Sequence, residues 1–215
     1  MDTIKQVHTD LYGRQSGAKR LFILILLAVL VSFLGWIAET VLFYINRGEF
    51  VDRGLLTLPF CPMYGLSALS IYALLRTPCS GIWIKLTSSP KTRTGRFAAM
   101  LACLLLYAAA AALLASLVEY GTGFFYENRF GLHLWNYHND ENNIHGFVCL
   151  QYSLMWGALS LAVMGLVWYP LQNLLARAKT AVLATAALGF AGVITADFVL
   201  NMVYLFIHGT RFMPW

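Results

Sequence analysis

Apolar residues fill five stretches of this chain, 21–45, 59–75, 97–123, 147–169 and 181–207, and polar residues gather in the short segments between them. None of the five alternates as a half-buried strand would. At ~1.5 Å per residue the long ones cover a ~30 Å hydrocarbon core, so the pattern predicts five transmembrane helices. The run Leu21 to Ile45 is too long for a signal peptide's apolar core and no A-x-A-like site follows it, so it reads as a retained first span. Pro62 in PFCPMYG suits a first helical turn, where the missing N–H is not needed. The alanine run in AAAAALLAS lets neighbouring helices approach closely, which puts span three at the centre of the bundle, and Pro170 is expected to end span four. Residues 124–146 are too polar to cross and rich in Trp, Tyr and Phe, so they are expected to form an interfacial or re-entrant segment at the headgroup level. Gly81 to Leu86 is a second interfacial candidate. The predicted fold is an all-α polytopic membrane helical bundle. A cytoplasmic segment, 1–20, precedes one transmembrane domain, 21–207, and a short outer tail, 208–215.

Composition agrees with the pattern. A chain of 215 residues that is 59% hydrophobic and 12% charged carries more apolar surface than a soluble domain of that length could bury. The net charge of +5 changes the picture only through its distribution. Along successive hydrophilic segments Lys and Arg run rich, poor, rich, poor, moderate, poor, which predicts an N-terminus inside, a C-terminus outside and no nucleic-acid partner.

Acids inside the spans are the candidate chemistry. Glu39 lies ~27 Å from the start of span one, Glu119 falls at a similar level on span three, and Asp197 lies ~24 Å into span five, by the helical rise. A carboxyl group in a span costs roughly 2.5 to 3.5 kcal/mol at the bilayer centre and less near its edge, so these side chains should face protein or water. Glu119, Gly123 and Glu127 share a face if the helix reaches that far, and Asp197, Asn201, Tyr204 and His208 form a second stripe. Arg53 is the expected counter-ion. Trp36, Tyr64 and His145 would complete an outer-facing polar cavity lined by Glu39, Arg53, Glu119 and Asp197. The bland alternative is that these groups only lock helices together.

Cys61, Cys79, Cys103 and Cys149 show no CxxC and no regular spacing. Cys61 and Cys149 are read as packing thiols, with a disulfide between them or a soft-metal site with His145 as weaker alternatives. No metal is assigned. His133, His138, Trp135, Tyr137, Trp156 and Trp168 read as interfacial groups or packing. P-loop, GxSxG and HExxH patterns are missing from the sequence, so no cofactor and no catalytic residue is assigned and the balance is against an enzyme.

An ordered set of short motifs resembles the CmpB-type ABC-transporter permease family, small multi-span membrane proteins. It comprises Gly35-Trp36 with Glu39, Arg53-Gly54, Pro59, Cys61-Pro62 and Tyr64-Gly65, then Glu119-Tyr120, Leu134-Trp135 with Tyr137, and Asn143 through Gly146 to Cys149, Ser153 and Trp156-Gly157. It covers most of the chain. Asp52, Leu58, Asn136 and His145 depart from the family pattern, and the last two change a titratable group. The resemblance implies a membrane protein with a transport role and a separate ATPase or other membrane subunit as partner, although nothing in the sequence looks like a coupling helix. Besides this transporter reading, with a small ion or polar ligand, two others stand. One is an intramembrane enzyme on a lipid or lipid-linked substrate, with Glu39 or Glu119 as base and Arg53 on a phosphate. The other is a non-catalytic accessory subunit. Five spans are few for alternating access and no inverted repeat is evident, so a homodimer in membrane lipid, through Ala108 to Ala112 and Gly189 with Gly192, is expected.

Overall fold

The computed structural model describes residues 15–52, 54–88, 90 and 92–212. Arg53, Lys91, most of the basic N-terminal segment and the last three residues of the tail lie outside the described residues. The elements run α1 (Gly17–Arg47), α2 (Pro62–Leu75), α3 (Ile82–Ser88), α4 (Arg93–Phe130), a two-stranded hairpin of β1 (Asn143–Ile144) and β2 (Val148–Cys149), α5 (Leu150–Ala162), a π-helical turn (Val163–Val167), α6 (Trp168–Ala176) and α7 (Thr180–His208).

Four helical segments are long and apolar enough to cross a membrane: Gly17–Ile45, Arg93–Phe130, Leu150–Ala176 and Thr180–His208. The fifth, Pro62–Leu75, is apolar but shorter. At ~1.5 Å per residue it rises only ~20 Å. The fold is thus the all-α membrane bundle that the apolar pattern predicts. Large apolar side chains such as Ile45, Leu166 and Ile207 are about 70% exposed, as on helices that face hydrocarbon.

Glycine stops three of the helices. Gly48, Gly131 and Gly209 follow α1, α4 and α7 with φ of 73°, 64° and 68°, and each N–H returns to a carbonyl of the last turn. A residue with a Cβ pays steric strain there.

Two boundaries depart from the sequence reading. α4 continues past Gly123 to Phe130, so the first residues of the supposed interfacial segment are helical. Pro170 does not end its helix but sits inside α6. The π turn just before it is the reason. A wider turn displaces the carbonyls that the proline ring would otherwise strike, and the N–H that proline lacks falls where the ladder is already interrupted.

The chain forms two compact units, Met1–Leu66 with Leu171–Trp215, and Ser67–Pro170. In the first, α1 packs along α7, and Lys19 Nζ donates to the Ala176 carbonyl at 2.8 Å, capping the last turn of α6. Gly65 lies so close to α1 that a Cβ would collide with Ser32 Oγ and stand 2.6 Å from the Ala28 carbonyl oxygen. In the second, α4 packs along α5 and α3 packs on α4. Gly157 faces α4 at the same range, 2.6 Å from the Ala108 carbonyl oxygen and 3.0 Å from Ala112 Cβ for an added methyl. Trp83 stacks edge-on to Tyr107 at 5.2 Å, and Tyr107 Oη donates to the Arg76 carbonyl at 2.7 Å.

Candidate functional site

Three of the sequence-selected acids are held by uncharged donors. In the first unit, α1 carries Trp36 and Glu39 one turn apart in its second half. The connection 48–61 folds back over that end of the helix because α1 and α7 both supply hydrogen-bonding partners for it. Trp36 Nε1 donates to Asp52 Oδ1 at 2.7 Å, and the same oxygen accepts from Gly54 N at 3.0 Å. Gly54 is buried where a Cβ would stand 3.2–3.3 Å from Phe60 O, Trp36 Cδ1 and Asp52 Oδ1, so a side chain would push the turn open. Arg211 Nη2 donates to the Asp52 carbonyl at 3.2 Å and stands 3.9 Å from Asp52 Oδ2.

The end of the connection is fixed by α1 as well. Cys61 N donates to the Ser32 carbonyl at 3.0 Å, which sets where α2 begins. One turn later Tyr64 Oη donates to Glu39 Oε1 at 2.5 Å. Its ring lies over Gly35, where a Cβ would overlap it. A larger residue at position 35 would lift the ring and with it the hydroxyl that meets Glu39.

Asp197 stands on α7 in the same unit. Its Oδ2 accepts from Leu58 N at 3.0 Å and its Oδ1 from Asn201 Nδ2 at 3.1 Å, a bond across one helical turn. Asn201 Nδ2 also reaches Thr57 Oγ1 at 3.1 Å. Further along the stripe Tyr204 stacks on His208 at 4.3 Å. The spacing on span five thus places four polar side chains on one face, as the i, i+4 rule requires.

The second unit holds Glu119 and His145. Glu119 is 4% exposed on α4, and Tyr137 Oη donates to its Oε1 at 3.1 Å. Tyr137 comes from the loop 131–142 and stacks on Tyr152 of α5 at 4.8 Å. The loop closes on α4 because Gly123 leaves room for Phe147 and Trp135, whose Nε1 donates to the Phe147 carbonyl at 2.7 Å. His145 is exposed, with φ of 54°, and pairs with Tyr120 Oη through Nδ1 at 2.9 Å. A serine pair, Ser116 with Ser153 at 2.7 Å, ties α4 to α5 below Glu119.

The structure therefore brings Trp36, Glu39, Tyr64 and Asp197 into one unit and Glu119 and His145 into the other. Arg53 lies outside the described residues. Two groups were under-read from sequence. Asp52 is the carboxylate that Trp36 and Arg211 meet, and Tyr137 is a partner of Glu119 and not merely an interface anchor. Neither pairing had a signal in the sequence, although Tyr137 belongs to the motif set on which the family resemblance rests and Asp52 adjoins it. Cys61 and Cys149 are buried free thiols, as the packing reading has them. Among the described residues no group of three or more His, Cys, Asp or Glu is placed to hold a metal ion.

A protein-family model described as "Putative ABC-transporter type IV", the CmpB family, matches residues 26–202. The chain belongs to this family. The match takes in every described acid above, from Glu39 to Asp197. No curated protein and no solved structure matches the chain in the corresponding comparisons. Family and helices together make it a multi-pass membrane protein of transporter type.

Proposed function

We propose that this member of the family binds a small ion or polar ligand and that Trp36, Glu39, Arg53, Tyr64, Glu119, His145 and Asp197 are its ligand-binding residues. The observation that supports this reading most is the tyrosine–carboxylate pairing. Glu39 and Glu119, each far along a membrane-length helix, each accept a tyrosine hydroxyl, from Tyr64 and Tyr137 respectively. A tyrosine hydroxyl donates to one carboxylate oxygen and orients the group, which leaves lone pairs for a cation or a proton.

In this reading the N-terminus is cytoplasmic, the C-terminus lies outside, and the acids open to the outer face, with the lysine and arginine distribution as support. Family membership supports an ATPase or another membrane subunit as partner. A homodimer in lipid would use α7, because Ala108 and Ala112 of α4 already meet Gly157 within their own unit, whereas Gly189 and Gly192 have nothing within 4 Å of a built Cβ.

The test is ion flux in proteoliposomes that contain the purified protein and an entrapped reporter dye, with sodium, potassium and proton gradients imposed in turn. Flux in the wild type should be lost in both Glu39→Gln and Glu119→Gln, while both variants elute as folded protein. Wild-type flux in both variants defeats the proposal.

A further inference from the structure

Aromatic side chains gather where α2 ends. Tyr72, in its last turn, stacks on Trp168 at 5.2 Å, and Trp83 of α3 stands edge-on to Tyr107 of α4 at 5.2 Å. Trp and Tyr collect at headgroup level in membrane proteins, so this cluster marks one edge of the bilayer. The connection 76–81 between α2 and α3 is pinned within it. Tyr107 Oη donates to the Arg76 carbonyl at 2.7 Å and Trp83 Nε1 to the Leu75 carbonyl at 2.9 Å. Pro78 packs on Gly165 of the π turn, 3.4 Å from a built Cβ.

Arg76 stands where a glycine is expected. Its N–H returns to the Tyr72 carbonyl and its φ is 60°, the left-handed position that Gly48, Gly131 and Gly209 fill after α1, α4 and α7. A side chain there works against the steric preference. The cation does not cap its own helix, because Trp83 and Tyr107 already take the Leu75 and Arg76 carbonyls. Its guanidinium lies instead over the Tyr72 ring at 5.2 Å, with Trp168 behind that ring. Among the described residues the guanidinium has no hydrogen bond and no ion pair. Two buried groups beside it, Thr77 Oγ1 and Trp168 Nε1, also have no hydrogen-bond partner, and both can donate. The chain offers no acid nearby: residues 54–118 and 142–196 contain neither Asp nor Glu. Arg76 is exposed, as are the apolar Leu74 and Ile82 on either side of the connection.

An unpaired cation beside a surface that faces hydrocarbon calls for an anion. We propose that the connection between α2 and α3 binds a phosphate group, that of an anionic phospholipid headgroup, with Arg76 as the ligand and the Tyr72–Trp168 stack as its platform. The guanidinium fork fits two phosphate oxygens, and the ring beneath it holds the plane of the fork. The acyl chains would lie on Leu74 and Ile82. Basic pockets between spans recognise anionic headgroups by this chemistry. The site shares no residue with the ligand-binding set above, so the two readings stand or fall separately.

Native mass spectrometry of the purified full chain, released from detergent micelles and titrated with phosphatidylglycerol or phosphatidylcholine, tests it. The wild type should bind one phosphatidylglycerol about tenfold more tightly than phosphatidylcholine, the size of one charge-assisted contact. Arg76→Gly and Arg76→Asn both suit a left-handed backbone, so both should fold and lose the preference. Arg76→Lys keeps the charge without the fork and should retain only part of it. Arg93→Gln removes a charge at the start of α4, outside the connection, and should retain all of it. Equal affinity of the wild type for the two lipids overturns the proposal, and so does an undiminished preference in Arg76→Gly or Arg76→Asn. A preference that falls as far in Arg93→Gln as in Arg76→Gly would be a response to net charge and overturns it too. Displacement of the lipid by excess inorganic phosphate would make free phosphate the ligand and overturn the lipid assignment.

Discussion

Replacing Gly157 by alanine should loosen the second unit by an amount that can be worked from two distances. The added methyl would stand 2.6 Å from the Ala108 carbonyl oxygen and 3.0 Å from Ala112 Cβ. Neither obstacle can rotate away, since one is backbone and the other has no torsion. To restore ordinary contact at 3.4 Å, α5 must move about 0.8 Å away from α4. The Ser116–Ser153 bond lies one turn along the same seam at 2.7 Å, and that displacement takes it to the limit of a hydrogen bond, a loss of about 0.5–1.5 kcal/mol. Overpacking adds about 1–3 kcal/mol. The gain in helix propensity from alanine returns about 1 kcal/mol. The net expectation is a loss of about 2 kcal/mol. Gly189→Ala is the control, because nothing lies within 4 Å of its built Cβ, and it should be neutral or stabilising by about 0.5–1 kcal/mol. Reversible unfolding in mixed detergent micelles, followed by circular dichroism, measures both. Equal stability of the two variants would refute the close-packed seam.

Three further outcomes follow from the same geometry. Gly146 has φ of +71° and its Cβ would overlap the His138 ring, so Gly146→Ala should open the loop 131–149, seen as faster amide exchange there with α7 unchanged. Tyr137→Phe removes the hydroxyl that meets Glu119 and should cost about 0.5–1.5 kcal/mol in the same micelle unfolding, with an unchanged result counting against the pairing. Trp36→Phe keeps an aromatic ring but loses the donor to Asp52, and should expose residues 50–54 to proteolysis at an unaltered overall fold. Protection equal to wild type would mean that Asp52 is held without Trp36.

The helices were legible because an apolar run of twenty or more residues has few alternatives, and the stripe Asp197, Asn201, Tyr204, His208 because helical spacing is local. Gly131, which ends α4, was equally local, and the FG pair at 130–131 was the signal that could have carried span three to its true end. Pro170 misled for a physical reason: a rule for proline in regular helices fails after a π turn, which apolar residues such as those of VMGLV do not announce. The partners of the acids were not legible at all. Trp36 with Asp52, Leu58 with Asp197 and Tyr137 with Glu119 depend on where a connection folds, and no periodicity fixes that. Small residues were readable as close approaches in general, but which small residue meets which carbonyl required the structure.

The glycine seams have a consequence for how this chain can be cut and rejoined. Ala28 precedes Glu39 by the same interval as Ala108 precedes Glu119, and Ser32 and Ala112 keep the same match. The returning glycine, Gly65 in one unit and Gly157 in the other, touches those two rungs in both. Counted back from its glutamate, each long helix therefore offers one template twice, once with serine and once with alanine on the second rung. An exchange of residues 28–39 with 108–119 in register keeps both rungs under the glycine. A single-residue slip in the same exchange turns them about 100° around the helix and leaves the glycine facing a side chain instead of a gap.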